Sequence, residues 1–332
     1  MPAPAAHLTS VVLIANPHAG AGRGEGAARA AIATLEELGV RPRLERTGGP
    51  GGAVGLARRA ASEGATLVVA VGGDGTLHEA VNGVLDAGLP GAERPALGVV
   101  PVGGGNDYAR MLGLADLDPA GAARAIVAGT PRAVDVARMD GGDRGPEHVL
   151  NNVGLAFGAL ANEARGRTRW LGGRLSYFAA GLVSLLTFRP DSLVVQVDEV
   201  AIEGRFLIGH LGVGRYCGAG IDFAPATRHD DGLLDVVLVT ERSRLRALLE
   251  WPRITRGAQR EDVAFLRGRR VRVLGPRGFL LHVDGEVRRV PLGVLELRVV
   301  PAALRVIHAQ GAAGPARGAR DQQADPAAAA AR

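Results

Sequence analysis

Between residue 10 and about 135, apolar runs of strand length alternate with alanine-rich stretches of helical length. The runs at 11–15, 67–71 and 97–101 are almost continuously apolar, as strands covered on both faces are; 27–38, 53–63, 77–85 and 119–127 read as helices. Strand and helix in this alternation predict a parallel sheet with helices on both faces. Past about 135 the apolar runs shorten, and 193–197, 205–213, 234–239, 271–274, 279–283 and 295–300 predict a second, mainly antiparallel domain. Two helical segments are expected to interrupt it, near 172–187 and 243–257. The fold class is therefore α/β: an N-terminal Rossmann-like parallel-sheet domain over 8–135, to which 300–308 returns, and a C-terminal mainly antiparallel β-sandwich over 136–299. A tail at 309–332, rich in Ala, Gly, Pro, Gln and Arg without periodicity, is expected to be disordered.

Three of the predicted strands run into glycine-rich turns. Val71 is followed by Gly72-Gly73-Asp74-Gly75-Thr76 and then at once by a helix. Glycines there let the backbone turn and leave its N–H groups bare, and the helix points its positive end at the same spot, which suits a phosphate. The next strand ends in Gly103-Gly104-Gly105-Asn106-Asp107, and neighbouring parallel strands deliver both turns to one carboxyl edge of the sheet. The first strand runs into Asn16-Pro17-His18-Ala19-Gly20, after which Gly22, Gly24 and Ala27 satisfy a G-x-G-x-x-A dinucleotide fingerprint with Glu45 downstream. That fingerprint belongs at a strand tip, and four intervening residues, Asn16 to Ala19, argue against an NAD-dependent oxidoreductase. Asp74 among bare N–H groups would repel phosphate unless a divalent cation lay between them, so ATP with magnesium is the economical ligand.

Composition acts here by exclusion. All 39 basic residues are arginine, which removes a Walker-type phosphate loop and Schiff-base chemistry, since both need lysine. A single cysteine, Cys217, excludes a disulfide framework and a multi-cysteine metal site. No apolar run approaches the roughly 20 residues that a bilayer span needs, and no signal peptide is evident, so a cytoplasmic location is expected. The charge is uneven: residues 241–272 hold ten arginines against Glu241, Glu250, Glu261 and Asp262, a local balance of +6 beside +5 for the chain. Few aromatics and no binding motif accompany these arginines, which argues against nucleic acid.

In order along the chain, N-P-x-x-G, G-G-D-G-T and P-x-G-x-x-N-D-x-A-R are joined by Ala224-Pro225-Ala226, by Asp231-Gly232-Leu233-Leu234-Asp235 and by Asp284-Gly285-Glu286. Together these motifs, covering about 11–308, resemble the diacylglycerol kinase catalytic family of bacterial lipid kinases, related to sphingosine and ceramide kinases. The resemblance implies an NAD kinase/diacylglycerol kinase-like fold, ATP as co-substrate and Mg2+. It assigns the nucleotide to Asn16, Pro17, His18, Ala19 and Gly20, to Thr47, to Gly72, Gly73, Asp74, Gly75, Thr76, Leu77 and His78, and to Gly103, Gly104, Asn106 and Asp107. It makes Glu286 the general base toward a lipid hydroxyl. It implies a magnesium ion on Asp231 with the backbone carbonyls of Arg228 and Leu233. On the residues alone, Asp231-Gly232 and Asp284-Gly285 are equally plain turns, the latter with 287–290 as a returning strand.

Departures from the family pattern are Gly104 in place of threonine, Val213 in place of asparagine, Gly158 in place of aspartate and Arg23 in place of lysine. A lipid kinase takes its hydroxyl from a membrane surface, so peripheral contact with the inner face of the membrane is expected. The basic and apolar stretch at 165–186 and the arginine run at 242–260 with Trp251 are candidates for it, with core packing as the plainer reading of the apolar part. A homodimer is left open. Two rivals remain. A soluble-substrate kinase of the NAD kinase type shares G-G-D-G-T but carries a T-G-S-T-A-Y stretch that this chain lacks, and a nucleotide-binding regulatory protein with weakened catalysis would suit Gly104.

Overall fold

The structure, a computed structural model, describes residues 8–156, 190–240 and 263–309. The helical segments expected near 172–187 and 243–257, the stretches at 165–186 and 242–260, Gly158 and the tail beyond Ala309 lie outside the described residues. The chain divides into two compact units, the first ending at Val134 and resuming at Ala302.

The first unit follows the expected alternation: β1 (Val11–Ala15), a short turn α1 (Ala19–Gly22), α2 (Gly24–Glu37), β2 (Arg43–Arg46), α3 (Gly52–Ser62), β3 (Leu67–Gly72), α4 (Asp74–Asp86), β4 (Ala96–Pro101), α5 (Asp107–Met111) and α6 (Pro119–Ala128). Its strands lie in the order β4-β3-β1-β2, all parallel, and the chain's last strand adds in parallel at Val306, beside Leu97. Every residue of β1, β3 and β4 is buried, which is what their unbroken apolar text requires. The fourth strand, β2, is not visible in the apolar pattern: Arg-Leu-Glu-Arg has no apolar alternation because it is the charged edge of the sheet.

Small side chains set the spacing of the helices. Ala27, Ala28 and Ala31 of α2 join Ala122, Ala123 and Ile126 of α6 in a core cluster with Leu13, Val69 and Val71 of the sheet. On α4, Gly83 lets α3 approach so closely that a Cβ there would lie 2.2 Å from the Val54 carbonyl oxygen. One turn earlier, the Glu79 carboxylate accepts the N–H groups of Gly51 and Ala53 at 2.7 and 2.9 Å, satisfying the start of α3. Asp118 caps α6 by accepting from Gly121 N–H at 2.6 Å, with Pro119 in the first helical position.

Strand β5 (Thr130–Asp140) carries the chain into the second unit. There follow β6 (Glu147–Val149), β7 (Asn152–Ala156), β8 (Ser192–Val197), β9 (Val200–Gly212), β10 (Tyr216–Cys217), β11 (Ile221–Asp222), β12 (Leu234–Thr240), β13 (Val263–Gly268), β14 (Arg270–Leu274), β15 (Phe279–Val283), β16 (Glu286–Val290) and β17 (Val294–His308). The strand expected from 205 begins at Val200, and its two halves do different work. Val200 to Arg205 pair antiparallel with β8, while Phe206 to Gly212 pair with β7 and β12. One strand thus serves both sheets of a sandwich, β16-β15-β7-β9-β12-β13 on one side and β9-β8-β14-β17 on the other. Val153, Leu155, Leu211, Val236 and Leu281 meet Val195, Val271, Val273, Leu295 and Leu297 in its core. Among the described residues no helix is long and apolar enough to cross a membrane.

Candidate active site

Three turns after adjacent parallel strands meet at the carboxyl edge of the first unit's sheet, and glycines are what allow the meeting. A Cβ on Gly103 would sit 2.7 Å from the Gly73 Cα, and one on Gly20 would sit 2.2 Å from the Val102 carbonyl oxygen. Neither Gly73 nor Gly72 has a positive φ, so their requirement is space: Gly72 faces the Thr76 hydroxyl, 2.4 Å from where its Cβ would be. In the first turn the left-handed backbone is real, with Gly20, Ala21 and Gly22 at φ 58°, 62° and 89°. Helix α2 therefore starts at Gly24, whose missing Cβ would fall 1.9 Å from the Asn16 carbonyl oxygen.

Polar contacts tie the same turns together. Asn16 receives His18 N–H on its Oδ1 at 3.0 Å, and its Nδ2 reaches the Thr76 hydroxyl at 3.4 Å. Asn106, itself left-handed at φ 51°, exchanges two hydrogen bonds with Gly103, accepting from its N–H and donating to its carbonyl, both at 3.0 Å. Asp74 Oδ1 accepts Tyr108 N–H at 3.4 Å, so this carboxylate fastens the second turn to the third. Helix α4 begins at Asp74 itself, and helical geometry leaves Gly75 and Thr76 N–H without an intrahelical carbonyl. Thr47, buried after β2, donates its N–H to the Ala15 carbonyl at 2.9 Å.

The predicted nucleotide residues are thus gathered at one edge, with different exposures. Pro17 and Ala19 are partly exposed and His18 exposed in the first turn; Leu77 and His78 are buried in α4; Asp107 is buried at the start of α5; Gly104 lies exposed at the tip of the third turn. Arg23, where the family favours lysine, donates to the Gly20 carbonyl at 2.8 Å and so braces the first turn.

In the second unit, Asp284-Gly285 is the two-residue connection between β15 and β16, with both residues at positive φ, 47° and 92°. The hairpin reading and the motif reading coincide, because a turn of this kind places Glu286 as the first residue of the returning strand. The Asp284 carboxylate accepts the N–H groups of Leu150, Asn151 and Asn152 at 3.0, 2.9 and 2.9 Å, locking the turn to the β6–β7 connection. Glu286 Oε2 receives Arg288 at 3.0 Å and Arg144 at 3.3 Å. Sequence reasoning missed both arginines, and also Glu147, which holds Arg288 from β6.

Asp231, the carboxylate of the expected metal set, is held between a side chain and the backbone. Asp231 Oδ2 is ion-paired with the Arg267 guanidinium, and its Oδ1 accepts Leu233 N–H at 3.2 Å. Arg267 also donates to Asp235 at 2.8 Å, while Arg228 is bound to Asp230 at 2.9 Å and Gly232 N–H goes to Asp135 at 2.7 Å. Among the described residues no group of three or more His, Cys, Asp or Glu side chains is placed to hold a metal ion. Arg267, counted above among the ten arginines of 241–272, is a partly buried internal counterion.

Two buried histidines, His210 and His282, flank Gly154 across three neighbouring strands. Gly154 is required, since a Cβ there would meet His282 Nε2 at 1.8 Å. Both rings are lowered to a pKa of about 4, chiefly by burial, with the neighbouring His210 contributing to the lowering of His282. The unfolded chain binds protons on these histidines below about 6.5 while the folded chain does not, so stability falls as pH drops from 6.5 to 4. Asp235, raised by burial to about 6, acts with the opposite sign in the overlapping window. Two histidines act against one aspartate, so a net loss of stability is expected on acidification towards pH 4. Calorimetry from pH 7 to 4 should show a falling melting temperature, with a smaller fall in His282→Gln; an unchanged value would contradict this assignment.

Residues 10–139 match the model of the diacylglycerol kinase catalytic domain, and residues 151–308 match that of the YegS C-terminal NAD kinase beta sandwich-like domain. The chain is 33% identical over 305 residues to a diacylglycerol kinase of Mycobacterium tuberculosis, covering 90% of this chain and 95% of that one. It is 27% identical over 255 residues to a diacylglycerol kinase of Bacillus subtilis, covering 76% and 81%. In three dimensions it resembles the crystal structure of a diacylglycerol kinase from Bacillus anthracis str. Sterne, with a TM-score of 0.69 at 22% identity over 92% of this chain and 98% of that one.

Proposed function

The chain belongs to the diacylglycerol kinase catalytic-domain family of lipid kinases, and from that premise we propose that it transfers the γ-phosphate of ATP to the hydroxyl of a lipid, diacylglycerol or a close relative. The observation that carries this reading is the junction of the glycine turns, Gly20 against Val102 and Gly73 against Gly103, in front of the first turn of α4. Backbone held this close leaves room for phosphate oxygens, and the helix start favours their charge. Magnesium enters bound to ATP, as part of the substrate, and neutralises charge on the phosphates. Residues 8–135 take the nucleotide and residues 136–299 the lipid.

In the second unit Glu286 acts as general base. The lipid hydroxyl oxygen forms a bond to the γ-phosphorus, its proton passes to the Glu286 carboxylate, and the bond from that phosphorus to the bridging oxygen breaks with its electron pair leaving on ADP. Phosphoryl transfer asks mainly for positioning and charge stabilisation, so a carboxylate and a fixed triphosphate suffice. The lipid is met by peripheral contact at the cytoplasmic face of the membrane.

Incubation of the full chain with γ-labelled ATP, magnesium and mixed micelles tests this reading, with diacylglycerol, a sphingoid base or ceramide as acceptor and NAD in a parallel reaction. Label is expected in the extracted lipid. Label on NAD alone, or nucleotide bound without transfer to any acceptor, would overturn the proposal in favour of a soluble-substrate kinase or a regulatory protein.

A further inference from the structure

Arg288 has the largest fully buried side chain among the described residues, 1% exposed. It sits two positions after Glu286 on β16, between that acid and the buried Val290, while Val287 and Arg289 point outward. Its Nε and one terminal nitrogen grip both oxygens of Glu147 at 3.1 and 3.3 Å, and the same terminal nitrogen donates to Glu286 Oε2 at 3.0 Å. The other terminal nitrogen donates to the Val287 carbonyl at 3.1 Å. Burial works against the charge of this guanidinium, but Glu147 and Glu286 hold its pKa above the ordinary value.

Such an arrangement is a poor device for stability alone. A desolvated ion pair is often replaceable by apolar residues of similar volume without loss, whereas removal of one partner is costly. What an apolar pair could not do is reach Glu286. The carboxylate of that residue is one third exposed, and its Oε2 is shared between the fixed Arg288 and Arg144, which is itself largely exposed. A planar guanidinium anchored on two oxygens of Glu147 fixes the donor that Glu286 meets, as an ammonium on a flexible stem would not.

We propose that the buried Glu147–Arg288 pair positions Glu286, holding one carboxylate oxygen so that the other is aimed at the acceptor hydroxyl. This rests on Glu286 as the base. Neither Glu147 nor Arg288 is a catalytic residue: they act through Glu286, and their loss should lower kcat by about 10- to 100-fold with KM for ATP unchanged.

The double variant Arg288→Met/Glu147→Leu separates positioning from structure, with the conservative Arg288→Lys as its companion. In mixed micelles with diacylglycerol, the double variant should melt at or above the wild-type temperature and lose kcat, and Arg288→Lys should lose kcat at least tenfold with an unchanged KM for ATP. A double variant that melts normally and turns over at the wild-type rate would overturn the proposal. If the double variant fails to fold, Arg288→Lys decides: a wild-type kcat there would overturn it. Glu286→Gln, assayed beside them, distinguishes the two failures, because a fully active Glu286→Gln sinks the base itself rather than its positioning.

Discussion

Glu286→Gln lowers kcat for transfer to lipid by about 10²- to 10⁴-fold while leaving ATP affinity and the melting temperature near wild type. Glutamine keeps the size of the side chain and an oxygen for Arg288 and Arg144, but it has no basicity toward a hydroxyl proton. The folded state should tolerate the change, because Arg288 retains both oxygens of Glu147 and Arg144 is exposed. The turn that presents residue 286 is also untouched, since Asp284 holds it through three backbone N–H groups. Steady-state kinetics in mixed micelles with calorimetry on the same preparations checks both halves. A kcat within a few-fold of wild type would remove Glu286 from the chemistry.

Gly103→Ala should be the most damaging change in the first unit, raising the dissociation constant for ATP at least about tenfold and costing about 1–3 kcal/mol of stability. Its Cβ would arrive 2.7 Å from the Gly73 Cα and 2.7 Å from Asn106 Oδ1. Gly73 is backbone at the cap of α4 and cannot yield without moving the helix start. Asn106 would have to give up its paired hydrogen bonds to residue 103. Gly26→Ala is the control. It lies inside α2 with nothing within 4 Å of the added atom, so the substitution should leave ATP binding alone and add stability, at most about 1 kcal/mol. Fluorescent-nucleotide titration of both variants measures the contrast, and equal affinities would show that the apposition of the two turns does not serve nucleotide.

The parallel sheet was legible because β1, β3 and β4 are apolar without interruption, and only strands covered on both faces are written so. Its edge was not, since Arg43–Arg46 reads as a polar loop until pairing with β1 reveals it. The start of β9 was hidden for a related reason: Glu203, Gly204 and Arg205 belong to the half that pairs with β8 and faces water on one side. Around the candidate site, glycines were read as conformational freedom, yet Gly72, Gly73 and Gly103 act through close approach, a distance that no spacing in the text encodes. Charges paired across long sequence separations were invisible too. Asp231 and Arg267, its counterion, are 36 residues apart, with Arg267 on β13. In the returning strand, Arg288 and Arg289 are alike as letters, and only the sandwich distinguishes the buried one from the exposed one.

The most direct test of the account is single-turnover transfer of labelled γ-phosphate to diacylglycerol at saturating ATP, run on wild type, Gly103→Ala and Glu286→Gln. If the first unit holds the triphosphate and Glu286 takes the hydroxyl proton, Gly103→Ala will regain most of its rate once ATP saturates, and Glu286→Gln will stay slow at any ATP concentration. A Glu286→Gln enzyme that transfers phosphate at the wild-type rate under these conditions would contradict it.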